Sequence, residues 1–213
     1  MGHNSDMARK LVSIVAVLAV VATAASSFGH SSMRPLGQRV DPEEKEATHL
    51  TASGRCGVER WAVKTLSDPD AGTVDLVAKS TTVAGMNLLL APSLPDDNST
   101  RLPSERQAFR VTATLVKYKL ESDQDIHLVL AGGGKTMIAE LPSVHCDVGA
   151  RARHAMLAAR GRLEREYGAA SGHWTYVGRS TTLTGVRFFD FQHGQSGVAD
   201  NAVELHPVFG FKP

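Results

Sequence analysis

From Phe109 to Leu120 the apolar residues alternate and then change phase. Phe109, Val111, Ala113 and Leu115 share one side, with Arg110, Thr112 and Thr114 between them; beyond that point Val116, Tyr118 and Leu120 are apolar, with Lys117 and Lys119 between. A period of two is that of a half-buried strand, and a change of phase within it requires a bulge or a passage from one sheet to another. The chain is therefore committed to a bent strand, which flat sheets and helical bundles do not use. Ser122-Asp123-Gln124-Asp125 makes the next turn, and Ile126, Leu128 and Leu130 define the core face of a second strand. Gly132-Gly133-Gly134 turns the chain again, and Thr136 to Leu141 reads as a third strand stopped by Pro142.

After this meander the spacing changes. Ala152, Met156, Ala159, Leu163 and Tyr167 recur at helical intervals; Asp147 is placed to cap the helix and Gly168 to end it. Arg151, Arg153, Arg160, Arg162 and Arg165 project from its other sides, where a solvated face is the ordinary expectation. Trp174 to Val177, Leu183 to Phe191 and Val203 to Phe211 then read as strands. Three meander strands, a helix and further strands, the first strand bending, is the order of a five-stranded oligonucleotide-binding (OB) barrel. The expected class is thus β-rich α+β, an OB-type barrel with an N-terminal strand extension, in which Val58 to Leu66 is the extension strand and residues 91 to 104 form a Pro-, Asp- and Ser-rich loop.

The N-terminus reads as an address. Arg9 and Lys10 precede the apolar run Leu11 to Ala22, and Thr23-Ala24-Ala25-Ser26-Ser27 supplies small residues for cleavage. The run is about 12 residues, short of the roughly 20 that span a bilayer. Residues 1–30 are therefore expected to be a signal peptide, 31–54 a polar flexible leader, and 55–213 one OB-like domain, placed in the periplasm or secreted, with no stable membrane span after cleavage. Loss of Arg9, Lys10 and Asp6 leaves 21 basic and 21 acidic residues from the 23 and 22 of the whole chain. That balance gives no support to non-specific nucleic-acid binding, although a local basic patch stays open. Cys56 and Cys146 are the only cysteines; in an exported chain two cysteines most often pair, and such a bond would close a loop worth about 4–5 kcal/mol in the chain-entropy account.

The hairpin KLESDQDIHLVLAGGGKTMIAELPS resembles the strand–turn–strand of micrococcal-type nucleases around its Asp-rich turn, and the resemblance to that family's barrel covers roughly residues 109 to 191. That resemblance implies calcium held by carboxylates, with Asp125 standing for the first-turn Asp and Glu140 near the end of strand three. It departs from the family at KTMIAELP, which has no arginine to neutralise a transition-state phosphate; Lys135 is a weak substitute because it lacks the bidentate fork. The stretches CGVERWAVKTLSDPDA, ATLVKYKLESDQDIHLVL, TMIAELP and GVRFFDFQHGQSGVADNAVELHPV are similar to a family of bacterial exported proteins to which no activity is attached.

Two residue pairs stand out. Asp125 and His127 share the strand face opposite Ile126, Leu128 and Leu130, and Glu204 and His206 do the same opposite Val203 and Leu205. Asp190 and His193 flank a glycine-bearing loop. Were the strands of the first two pairs neighbours, their two histidines and two carboxylates could converge as a set suited to a divalent metal, with Asp190 and His193 as further candidates; the commoner fate of alternating polar residues is to face water. No cofactor other than such a metal is indicated. Gly132-Gly133-Gly134-Lys135-Thr136 ends like a phosphate loop but precedes a strand, so it reads as a hairpin turn. Trp61 and Trp174 fit core positions at least as well as stacking ones. Two classes remain: an OB-like binding or structural module with an unknown ligand and no catalysis of its own, favoured by the neutral charge and missing arginine, and a metal-dependent phosphodiesterase using Asp125, His127, Glu204 and His206.

Overall fold

The bend falls where the phase changes. In the computed structural model, which describes residues 59–93, 100–143, 145, 149–192 and 194–213, one strand runs Gln107–Leu120, and its register against both neighbours slips between Leu115 and Lys117. Val111 and Leu115 point to the core before the slip and Tyr118 after it, all fully buried. The bulge also turns Lys119 to the opposite face, where it is buried among polar groups.

Six strands form one mixed sheet: β1 (Asp75–Thr81), β2 (Gln107–Leu120), β3 (Ile126–Gly132), β4 (Lys135–Leu141), β5 (Thr175–Phe189) and β6 (Val203–Lys212). They lie in the order β1-β2-β3-β4-β6-β5, and β5 pairs again with β2, so hydrogen bonds link β2 through β6 in a closed circuit. The β1–β2 and β4–β6 pairings are parallel and the others antiparallel. Inside the circuit lie Leu115, Ile126, Leu128, Leu130, Met137 and Leu205.

Of the helices, α1 (Trp61–Lys64) and α2 (Val83–Asn87) are short, and α3 (Arg153–Tyr167) lies between β4 and β5 in sequence. The α3 stripe divides: Ala159 and Leu163 join the main core, while Met156 packs with Leu66, Ala71, Val74 and Val186 in a second apolar cluster. Gly168 ends the helix as its C-cap. Two of its arginines are clamps and not a solvated face: Arg160 donates to the carbonyls of Gln124, Leu141 and Pro142, and Arg151, just before the helix, to those of Ala71 and Val74.

The N-terminal part departs from expectation. Of Val58 to Leu66, the described residues from Glu59 on contain a helical turn, Trp61–Lys64, in place of a strand, and Val63 through Leu66 are all buried. The extension strand is β1, which pairs parallel with β2. The two strands expected at Trp174–Val177 and Leu183–Phe191 are one strand, β5. Its polar middle needs no apolar side chains, since it is held by the ladder to β2 and by a Thr112–Thr182 hydroxyl bond of 2.9 Å. The signal peptide, the leader, Cys56, Cys146, Asp147 and His193 lie outside the described residues. Among the described residues no helix is long and apolar enough to cross a membrane.

Candidate functional site

The turn Gly133-Gly134 sets the site. It pairs Gly132 with Lys135, so five residues back on each strand His127 lies opposite Glu140. On the other side of β4, the parallel pairing of Ile138 with Glu204 brings β6 alongside, and His206 follows two residues on. All of these side chains point away from the core inside the circuit. None meets water: Asp125 and His127 are 0 % exposed, His206 1 %, Glu140 and Glu204 3 %. The expectation that alternating polar residues face solvent fails here because other segments cover this face.

Three pieces form the cover. Lys64, from α1, reaches Asp190 with Nζ 2.9 Å from Oδ2. The loop after β5 passes over β3, where the Ser196 carbonyl lies 2.9 Å from His127 Nε2 and Gly197 packs on Val129. Trp174 meets His127 edge-on at 5.5 Å, with Lys117 over its ring at 4.0 Å. The α1 segment is fastened by buried charge. Arg60 pairs with Glu105, and Arg101 pairs with Asp68 at 2.6 Å while donating to the Val63 carbonyl at 2.7 Å.

Glu140 is the centre of the cluster. Its Oε1 lies 3.2 Å from His127 Nδ1, and its Oε2 lies 3.2 Å from His206 Nδ1. His127 Nδ1 also lies 3.2 Å from Glu121 Oε1, which Lys119 Nζ approaches to 3.4 Å. His206 Nε2 lies 3.4 Å from Asp125 Oδ2, while Asp125 Oδ1 accepts from the Ser143 N–H at 2.6 Å. Both ring nitrogens of His206, with His127 Nδ1, Asp125 Oδ2 and Glu121 Oε1, are buried without a hydrogen bond of normal geometry.

The environment separates the protonation states. Burial works against charge on His127, but the Glu121 and Glu140 carboxylates hold its pKa well above the ordinary histidine value. Burial opposes charge on Glu121 too, and His127 and Lys119 outweigh it, leaving Glu121 below the usual range. Burial, with the charges of Asp123 and Glu140 adding to it, pushes Asp125 well up. Burial raises Glu140 to about 7 against the pull of His127. Burial, then the positive charges of Lys64 and His127, drive His206 well down. These environments favour charge on His127 and Glu121 and disfavour it on His206, Asp125 and Glu140, so the last two carboxyls hold protons readily.

Asp125, His127 and His206 therefore meet, joined by Glu140 and Glu121. Glu204 is buried on β6 beside them, facing Ile138 and Phe188 in the register. Asp190 belongs to the cover, through Lys64. Lys135 lies away from the cluster and pairs with Asp200 on the exposed side, so it replaces no nuclease arginine. Glu121 was missed because it closes a turn in the sequence. Glu140 was legible only through the nuclease resemblance, although the glycine turn sets its register. Lys64 had no signal, since its approach depends on the fold of the cover. No protein-family model matches this chain, and no curated protein matches it.

Proposed function

We propose that this chain is an exported OB-type module that binds or supports a partner and performs no catalysis of its own. The pairing circuit, with β4 parallel to β6 and α3 between β4 and β5, supports the OB reading. The observation that carries the non-catalytic reading is the seal. A phosphodiester reaches a catalytic carboxylate only through an open cleft, and Asp125, His127, Glu140 and His206 are at most 3 % exposed. The outer sheet face, where barrels of this type receive ligands, is occupied by the chain's own α1 segment and 190–202 loop. A cavity of about 340 Å³ beside that cover, bordered by Phe189, Asp190, Phe191 and Asn201, is of ligand size. The micrococcal-nuclease resemblance, in this reading, extends to architecture and stops short of the reaction.

The second reading, a metal-dependent phosphodiesterase, draws on the convergence of two histidines and three carboxylates, and it requires the cover to open. Incubation of the full chain with single-stranded DNA, RNA and bis(p-nitrophenyl) phosphate, in Ca²⁺, Mn²⁺ and Zn²⁺ separately, tests the two. The module reading expects no turnover. Metal-dependent hydrolysis that disappears in His206→Ala would overturn it. Export is tested on secreted material: the mature N-terminus is expected between Ala22 and His30, and an intact Met1 or Met7 would refute it. Mass spectrometry of unreduced protein tests the Cys56–Cys146 bond, which two free thiols would refute.

A further inference from the structure

The geometry points to a buried site for one divalent transition-metal ion, Zn²⁺ or Mn²⁺, held by Asp125, Glu140 and His206. One ligand atom from each of the three lies within 4.8 Å of those of the other two. His206 Nε2 and Asp125 Oδ2 are 3.4 Å apart. Two donors at about 2.1 Å from a tetrahedral ion lie about 3.4 Å apart, so that pair already spans one edge of such a site. Proximity of acidic groups alone would mean little. The independent observation is that Asp125 Oδ2 and His206 Nε2, facing each other at 3.4 Å on side chains at most 1 % exposed, both lack a hydrogen bond of normal geometry. Buried polar atoms in folded proteins are otherwise satisfied in the great majority of cases.

The neighbouring triad, Glu121, His127 and Glu140, is the weaker candidate. Lys119 already places an ammonium 3.4 Å from Glu121 Oε1, which repels a second cation. His127 instead suits the role of support. Its Nε2 is engaged at the Ser196 carbonyl and its Nδ1 lies 3.2 Å from Glu140 Oε1, while Glu140 Oε2 lies 3.2 Å from His206 Nδ1. Lys64 acts on the Asp125 side as a positive charge, and its ammonium also lies 2.9 Å from Asp190 Oδ2. On metal binding Asp125 and Glu140 would give up the protons they hold readily, and the two carboxylates would match the charge of the ion. An imidazole among three donors departs from the all-oxygen shell that calcium takes, and points to zinc or manganese. The inference is independent of what the module binds, because metal uptake is read without any ligand or substrate.

The test uses the full chain, purified once without chelator or metal column and once after chelation. About one equivalent of metal is expected in the first preparation. Calorimetric titration of Zn²⁺ and of Mn²⁺ into the second should show one saturable site, weakened at least tenfold in Asp125→Asn and in His206→Gln. Metal should also raise the thermal midpoint of the wild type, which loose binding by exposed histidines would not do. Absence of saturable binding, or affinity unchanged in both variants, overturns the proposal. Should the variants fail to fold, Co²⁺ on the wild type decides. A strong visible spectrum of a low-coordinate nitrogen–oxygen site, together with a raised midpoint, supports the assignment; the faint spectrum of the aqueous ion with no shift overturns it.

Discussion

Removal of Arg60 should release the cover. Its Nη1 donates to Glu105 Oε1 at 2.8 Å and to the Phe189 carbonyl at 3.2 Å, its Nη2 donates to the other Glu105 oxygen, and both side chains are fully enclosed. Arg60→Ala leaves a carboxylate buried without its counter-charge. Glu105 would keep the backbone N–H groups of Leu102 (2.9 Å) and Phe189 (3.2 Å), which soften but do not cancel the loss. Breaking one side of a buried pair costs about 3–5 kcal/mol, so a loss of about 3–4 kcal/mol is expected in urea unfolding followed by tryptophan fluorescence. The double variant Arg60→Met with Glu105→Leu removes both charges and should recover most of it, since apolar replacements of a buried pair are often neutral or better. Hydrogen exchange of residues 61–66 should quicken in the single variant and not in the double. A loss below about 1 kcal/mol in the single variant, the level of an exposed pair, would refute the reasoning: the segment would then not be docked as a charged clasp.

Gly197 has φ +95°, and a Cβ there would lie 2.7 and 2.9 Å from the Val129 methyls; Gly197→Ala should cost about 2–4 kcal/mol in urea unfolding, from left-handed strain plus overpacking, and Val129→Ala added to it should return part of that loss but not the strain. Tyr118→Phe should cost about 1–2 kcal/mol, because the single hydroxyl proton is shared between the carbonyls of Tyr167 (2.9 Å) and Gly168 (2.8 Å) at the end of α3. Burial raises the Tyr118 pKa above 10.0. Its contribution is therefore complete below the unfolded pKa of about 10 and is lost as pH rises through the higher folded value, so the gap between wild type and Tyr118→Phe in urea titrations should narrow above about pH 10.

The strands of the meander were legible because each is set by neighbours in sequence. The phase change at Val116 announced the slip between Leu115 and Lys117, and the glycine turn set β3 against β4. The stripe Met156, Ala159, Leu163 likewise marked the buried side of α3. The pairs Asp125/His127 and Glu204/His206 were legible as sharing a face, because alternation fixes sidedness. What alternation does not carry is what lies above that face. Lys64, Ser196 and Trp174 come to His127 and His206 from distant parts of the chain, and only their arrival turns a solvent-facing pattern into a buried one. The same holds for Val58 to Leu66, where local β propensity yields to the anchoring of Arg60 and Lys64.

How the cover is attached bears on both functional readings. Apart from the small cluster around Leu66, Ala71 and Val74, the 60–74 segment is held by charge: Arg60 on Glu105, Lys64 on Asp190, and Asp68 on Arg101. Burying an ion costs several kcal/mol before its partner offsets it, and an apolar cover would serve stability at least as well. The face beneath is mixed: Glu140 and His206 lie beside buried Phe188, edge-on to His206 at 5.9 Å, and beside Ile138, while Arg60 and Lys64 of the cover lie over the Phe188 ring. Opening such a clasp costs the ion pairs that fasten it together with the apolar area of Phe188 and its neighbours that it covers. The module and enzyme readings thus differ in a single quantity, the free energy of opening the cover. The Arg60→Ala variant lowers that quantity by design: hydrolysis that appears with metal only in this variant would mark the sealed cluster as a masked active centre, and continued silence there would leave it a metal-supported structural core.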